Sequence, residues 1–143
     1  MKVNWLDRGL MYAPYMALCT HEEEFAAAKK HLKVDDPAEW PGTGRAKVRS
    51  YIKDGKLTCL VLVGDVSKNT PIEIVGLLTH EAVHVWQELC DHIGESRPSS
   101  EFEAYSIQTI AQCLWCAYVD QVIKVPAKPA ARRPGARRKS RSA

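Results

Sequence analysis

The second half of the chain contains a stretch in which apolar residues recur every three or four positions, the spacing of one face of a helix. This stripe consists of Val75, Leu78, Ala82, Val85 and Leu89. Thr70 and Glu73 form a capping box, Pro71 takes the first helical position, and Gly94 supplies a stop signal. The pattern predicts a long amphipathic helix between Thr70 and Gly94 that packs one face on a core.

Two further helices are predicted, one on either side of the long one. A capping box at Thr20 and Glu23 opens a shorter helix that extends to about residues 31–32. A last helix starts at residue 99 or 100 and continues to about Ile123. Its apolar stripe consists of Ile107, Ile110, Ala111 and Leu114.

Between the first two helices the pattern changes to that of strands. Residues 48–53 and 57–63 flank the dipeptide Asp54-Gly55, which favours a tight hairpin turn. The second segment is almost wholly apolar, which predicts burial on both faces. A loop rich in Pro and Gly precedes the hairpin, with Trp40 as its buried anchor. The elements together predict an α+β domain in which a small antiparallel hairpin packs on the long helix and the C-terminal helix.

Composition divides the chain at about residue 123. Residues 124–143 contain 8 Lys or Arg and no acidic residue, which leaves 12 basic and 17 acidic residues in 1–123. A body of about −5 excludes a strongly basic DNA-binding globule, so any polyanion contact is expected through the tail. The tail is rich in Pro, Ala, Arg, Lys and Ser, and we expect it to be disordered.

The apolar runs and the cysteines of the sequence together predict a cytoplasmic protein. No stretch approaches the roughly 18 to 20 apolar residues of a membrane-spanning helix. The apolar run 9–19 is interrupted by Pro14 and lacks a small residue before Cys19, so it fits a signal peptide poorly. The five cysteines are odd in number and have no framework spacing, which favours a reducing compartment. Cys113 and Cys116 form a lone Cys-x-x-Cys within the predicted last helix. Because no second pair supplies the four ligands of structural zinc, two small core thiols are favoured over a metal or redox site.

The long helix carries the pattern His-Glu-x-x-His, with His80, Glu81 and His84 at its positions. Two histidines four apart lie one above the other on a helix, so both imidazoles can reach one zinc ion. Glu81, about 100° around the helix from His80, can take a proton from water that zinc has made more acidic. Leu77 and Val83 flank the histidines, so we expect this face to be partly covered.

A catalytic zinc site needs a third protein ligand. Glu103 lies on the same helical side as Ile107 and Ile110, whereas Glu101 aligns with polar positions. A carboxylate within an apolar stripe is costly to bury unless it is paired or bound to a metal. Glu103 is therefore the predicted third ligand, and Glu101 is a first-turn acid that favours the helix dipole.

This combination of motifs resembles the gluzincin branch of the zincin metallopeptidases. In that branch, His-Glu-x-x-His on one helix is followed by a Glu that opens a later helix and serves as the third zinc ligand. The resemblance implies that His80, His84 and Glu103 bind Zn²⁺ and that Glu81 is the general base. It also implies a minimal zincin-like domain over residues 1–123, acting on a peptide or protein.

A narrower resemblance is to small proteins of bacteriophages and prophages. It is carried by residues 78–87 and 101–108, and the Trp40-Pro-Gly loop and the helical segment 20–31 belong to the same pattern. The resemblance covers most of residues 12–118. It implies a phage origin and action in the cytoplasm of the host cell, but it specifies neither a substrate nor an oligomeric state.

The chain departs from the gluzincin pattern at two points. Thermolysin-type members have an Asp four residues after the ligand Glu103, where this chain has Ile107. They also use a distal His or Tyr to stabilise the oxyanion, for which Tyr105, Tyr118 and His92 are the candidates. These departures leave two hypotheses open: a zinc-dependent peptidase, or a catalytically silent binding or assembly protein of a phage that keeps the zincin fold.

Overall fold

The computed structural model describes residues 1–6 and 14–123. In chain order its elements are β1 (Tyr15–Cys19), α1 (Glu22–Leu32), β2 (Ala46–Lys53), β3 (Lys56–Val63), α2 (Pro71–Ile93) and α3 (Ser100–Tyr118), followed by a π-helical turn, Val119–Ile123. This combination of helices and one small sheet confirms the predicted α+β class. The prediction of a disordered tail falls on residues 124–143, which lie outside the described part.

The three strands form one sheet in the order β1–β3–β2. Strands β2 and β3 are the predicted antiparallel hairpin. At its turn Asp54 and Gly55 have φ values of 52° and 72°, the left-handed conformation that such a tight turn requires. Strand β3 is buried from Leu57 to its end, which confirms that both of its faces are covered.

Strand β1 is not among the predicted elements. It pairs in parallel with β3, with Tyr15 opposite Thr58 and Cys19 opposite Leu62. The sheet is therefore mixed, and the prediction of an antiparallel hairpin alone was wrong in this respect. Five residues next to an apolar run carry no period or turn signal of their own, and a parallel partner lies far away in sequence.

The sheet separates two hydrophobic clusters. The larger lies between the sheet and helices α2 and α3 and includes Leu78 and Leu114, both fully buried. The smaller lies under α1, where Phe25 packs with Leu62. Trp40 joins this second cluster with its ring centroid 6.4 Å from that of Phe25. It is half-buried rather than buried, but it does anchor the loop as predicted.

Helix α2 has the predicted ends. The carboxylate of Glu73 accepts a hydrogen bond from the Thr70 amide at 2.7 Å, and Gly94 closes the helix with a φ of 72°. Helix α1 begins slightly later than predicted, because His21 is its N-cap and Glu24, not Glu23, is the acid of its capping box. Helix α2 is thus 23 residues long, and Leu78, Ala82, Val85 and Leu89 are buried on its core-facing side.

Candidate metal centre

His80 and His84 lie near the middle of α2, one turn apart, on a side that faces away from the core. Their Nε2 atoms are 3.0 Å apart, and the ring centroids are 4.7 Å apart. Both imidazoles are exposed, although Leu77 and Val83 beside them are partly buried. The expectation of a partly covered histidine face was therefore wrong for the two imidazoles.

The distance between the two Nε2 atoms is close to that of two nitrogens bound to the same metal ion. Two nitrogens bound to one tetrahedral zinc at about 2.0 to 2.1 Å lie roughly 3.3 Å apart. The observed separation of 3.0 Å differs from this by only a few tenths of an ångström. At this distance the two Nε2 atoms form a hydrogen bond with each other, so the shared proton would have to leave before both nitrogens could bind one ion.

Gln87 adds a partner that the sequence reasoning missed. Its side-chain Oε1 lies 3.0 Å from Nδ1 of His84. Since an amide oxygen only accepts, this contact assigns the proton of His84 to Nδ1 and leaves Nε2 as an acceptor. Metal-binding histidines commonly donate their other nitrogen to an oxygen in this way. The available signal was the spacing, because residues three apart on a helix are neighbours.

Glu81 differs from the two histidines in its environment. Its side chain is only 3% exposed, and its Oε2 is a buried atom that has no hydrogen-bond partner among the described residues. Burial raises the pKa of Glu81, while the nearby imidazoles of His80 and His84 lower it in part. A carboxylate that is buried, unpaired and adjacent to two potential metal ligands has the features of a general base.

Glu103 lies in a groove next to the C-terminal half of α2. It lines an open groove of about 420 Å³ between the end of α2 and the start of α3, together with Gln87 and Cys90. Burial raises the pKa of the Cys90 thiol, and the neighbouring carboxylate of Glu103 raises it further. Glu103 is partly buried and Glu101 is exposed, so the predicted rotation of the last helix is confirmed.

The described residues contain no group of three or more His, Cys, Asp or Glu side chains arranged to hold a metal ion. The structure therefore brings His80 and His84 together but does not add Glu103 to them. Gln87 links the histidine pair to Glu103 indirectly, because it contacts His84 and also lines the groove that contains Glu103. The role of Glu103 as the third ligand stays a prediction.

The three oxyanion candidates lie in separate places. Tyr105 is 64% exposed on α3. Tyr118 is buried, and it lines a cavity with Val63. His92 follows His84 by eight residues, which is about 12 Å along a helix. None of the three has a described hydrogen bond to the histidine pair, so their proposed role stays a prediction.

The chain was also compared with known proteins. No family model, curated protein or solved structure matches it. Within the described residues, no helix is long and apolar enough to cross a membrane.

Proposed function

We propose that the protein is a zinc-dependent hydrolase, most simply a peptidase, with its centre on α2. The observation that carries the proposal is the pair of exposed histidines, with Nε2 atoms 3.0 Å apart, together with the buried carboxylate of Glu81 between them in sequence. His80 and His84 would hold the ion, and Glu103 is the proposed third ligand. Structural metal binding alone does not require an unpaired buried carboxylate, whereas hydrolysis requires a base.

In the proposed reaction, residues of α2 have separate roles beside the zinc ion. Zinc, when bound, supplies a Lewis acid that polarises a carbonyl and makes water more acidic. Glu81 accepts the proton of the attacking water and returns it to the amine that leaves, which completes peptide hydrolysis with no net change at Glu81. Its burial helps, because a raised pKa brings the carboxylate closer to the pH at which it must accept and release a proton. Gln87 keeps Nε2 of His84 unprotonated.

The outer edge of β2 is the proposed place for an extended peptide. Within the described sheet no strand pairs with this edge. Ser50 of β2 donates a hydrogen bond to Glu88 Oε2 at 2.5 Å, and Glu88 follows His84 by one turn on nearly the same side of α2. The histidine face therefore borders β2, and a peptide added to that edge by main-chain hydrogen bonds would pass near the centre.

The test is metal analysis with parallel digestion of a peptide library by wild type and Glu81→Gln. We expect about one zinc per chain in both proteins and cleavage only by the wild type, since an amide cannot accept the proton of water. Undiminished cleavage by the variant would exclude Glu81 as the base.

One observation favours a second candidate function, a zincin-fold binding or assembly protein without turnover. The part of the chain that the structure covers does not group Glu103 with His80 and His84. Two histidines bind zinc less tightly than three ligands do, and a catalytic zinc needs three protein ligands and an open position. The histidine pair alone would therefore bind an ion without completing a catalytic centre. Zinc binding without cleavage of any library member by the wild type would favour this alternative.

A further inference from the structure

Helix α3 carries a second group of potential metal ligands, which begins at the border of its core-facing side. Cys113 and Cys116 are one helical turn apart and line the same open cavity of about 410 Å³. Cys113 is partly buried, Cys116 is exposed, and neither forms a disulfide. The interpretation as core thiols was therefore wrong for Cys116, whereas Cys113 packs against the larger hydrophobic cluster. The most deeply buried residues of this part of α3 are Ile110 and Leu114, which are at most 1% exposed.

The two thiols differ chemically from everything else in the cavity. The remaining lining is supplied by Trp5, Leu6, Thr109, Gln112, Ala117 and Asp120. These side chains offer apolar surface or oxygen and nitrogen atoms, which are hard or borderline donors. The sulfurs are the soft donors of the cavity, and both are carried on the same rigid helix, which fixes their spacing.

The spacing favours a bridging ion over a disulfide. Residues three apart on a helix have Cβ atoms about 5 to 6 Å apart, whereas a disulfide needs about 3.5 to 4.5 Å. Oxidation would therefore distort α3 in its last turns. An ion that binds both sulfurs with metal–sulfur bonds of about 2.3 Å spans the longer distance with α3 unchanged.

We propose that Cys113 and Cys116 form a two-thiolate site for a soft d¹⁰ metal ion, of which Cu(I) is the biological example. The number of ligands selects the ion. Structural zinc sites and iron–sulfur clusters take four protein ligands, and the described residues provide no cluster of three or more. Cu(I) prefers thiolates and is satisfied by two. As each sulfur–copper bond forms, its thiol releases a proton to solvent, and the oxidation state of copper does not change.

This proposal is independent of the zinc hydrolase proposal, because the sites share no residue. The test is an anaerobic titration of the reduced full-length protein with Cu(I) in competition with bicinchoninate. We expect one equivalent of tightly bound Cu(I). Cys116→Ser should weaken binding by more than about 100-fold, since loss of a direct ligand exceeds the 10- to 100-fold effect typical of an outer partner. Cys116 is exposed, so this substitution leaves the fold intact, as circular dichroism would verify.

The matched control is Cys90→Ser, which removes a partly buried cysteine of α2 outside the cavity. It should leave Cu(I) affinity unchanged, whereas Cys113→Ser should reproduce the loss. Tight binding of one equivalent by Cys116→Ser would overturn the proposal. It would also be overturned if His80→Ala or His84→Ala, rather than the cysteine variants, abolished binding, because the ion would then occupy the histidine pair.

Discussion

Replacement of Glu81 by leucine is expected to stabilise the metal-free protein. The side chain is 3% exposed, and its Oε2 lacks a hydrogen-bond partner in the described region. A buried polar group left unsatisfied costs about 1 to 3 kcal/mol, and more when it is charged. Leucine removes this cost and packs beside Leu78 and Val85, which are fully buried. A buried carboxylate that lowers the stability of the fold is explained by a role in catalysis rather than by a role in folding.

The expected gain in the free energy of unfolding is about 1 to 3 kcal/mol at neutral pH. For a domain of this size that is an increase in Tm of roughly 4 °C per kcal/mol. The assay is urea denaturation and calorimetry in the presence of a chelator, so that metal binding does not contribute to stability. Glu81→Gln should gain less than Glu81→Leu, because the amide is still buried without a described partner.

The gain should also depend on pH. Burial raises the pKa of Glu81 above its usual 4.5, so the folded state of the wild type holds this proton more tightly than the unfolded state does. The wild type therefore loses stability as the pH rises from about 4 toward neutrality. Leucine does not titrate, so the difference between the two proteins should grow over the same range.

Glu88→Leu is the matched control. Glu88 lies on the same side of α2 two turns later, but it accepts a hydrogen bond from Ser50 at 2.5 Å. Its replacement should be neutral or should destabilise the protein by about 1 kcal/mol. If Glu81→Leu is neutral or destabilising in the metal-free protein, then the carboxylate is not held at a cost, and this argument for a general base fails.

Three further predictions concern the metal ligands and the fold. Gln87→Ala should weaken zinc binding by about 10- to 100-fold in a chelator competition, since it removes the oxygen next to His84 Nδ1; an unchanged affinity would exclude this role. Glu103→Ala should lower zinc affinity more than Gln87→Ala, whereas Glu101→Ala should change it little; the reverse order would exclude Glu103 as the third ligand. Asp36 accepts hydrogen bonds from Tyr51, Ala38 and Arg49, which hold its pKa at about 2. Asp36→Asn should therefore cost about 1 to 3 kcal/mol at pH 7. The wild type should lose this advantage as the pH falls from about 4 toward 2, which denaturation at several pH values would measure.

Local signals in the sequence were sufficient for the helices and the hairpin. A capping box, Pro71 and Gly94 set the ends of α2, because they act on backbone groups only a few residues away. Asp54 and Gly55 set the turn between β2 and β3 for the same reason. The helical period placed His80 and His84 on one side of α2 and Glu103 on the partly buried side of α3, since side-chain direction follows from residue number alone.

Tertiary structure decided the features that depend on partners far apart in the chain. Strand β1 exists because Tyr15–Cys19 pairs with β3, more than 40 residues away, and no local pattern encodes that partner. The burial of Glu81 and the exposure of Cys116 depend on which surfaces the sheet and the other helices cover. The distance from Glu103 to the histidine pair is likewise set by the packing of α3 on α2, whereas its rotation about its own axis was already fixed by the sequence.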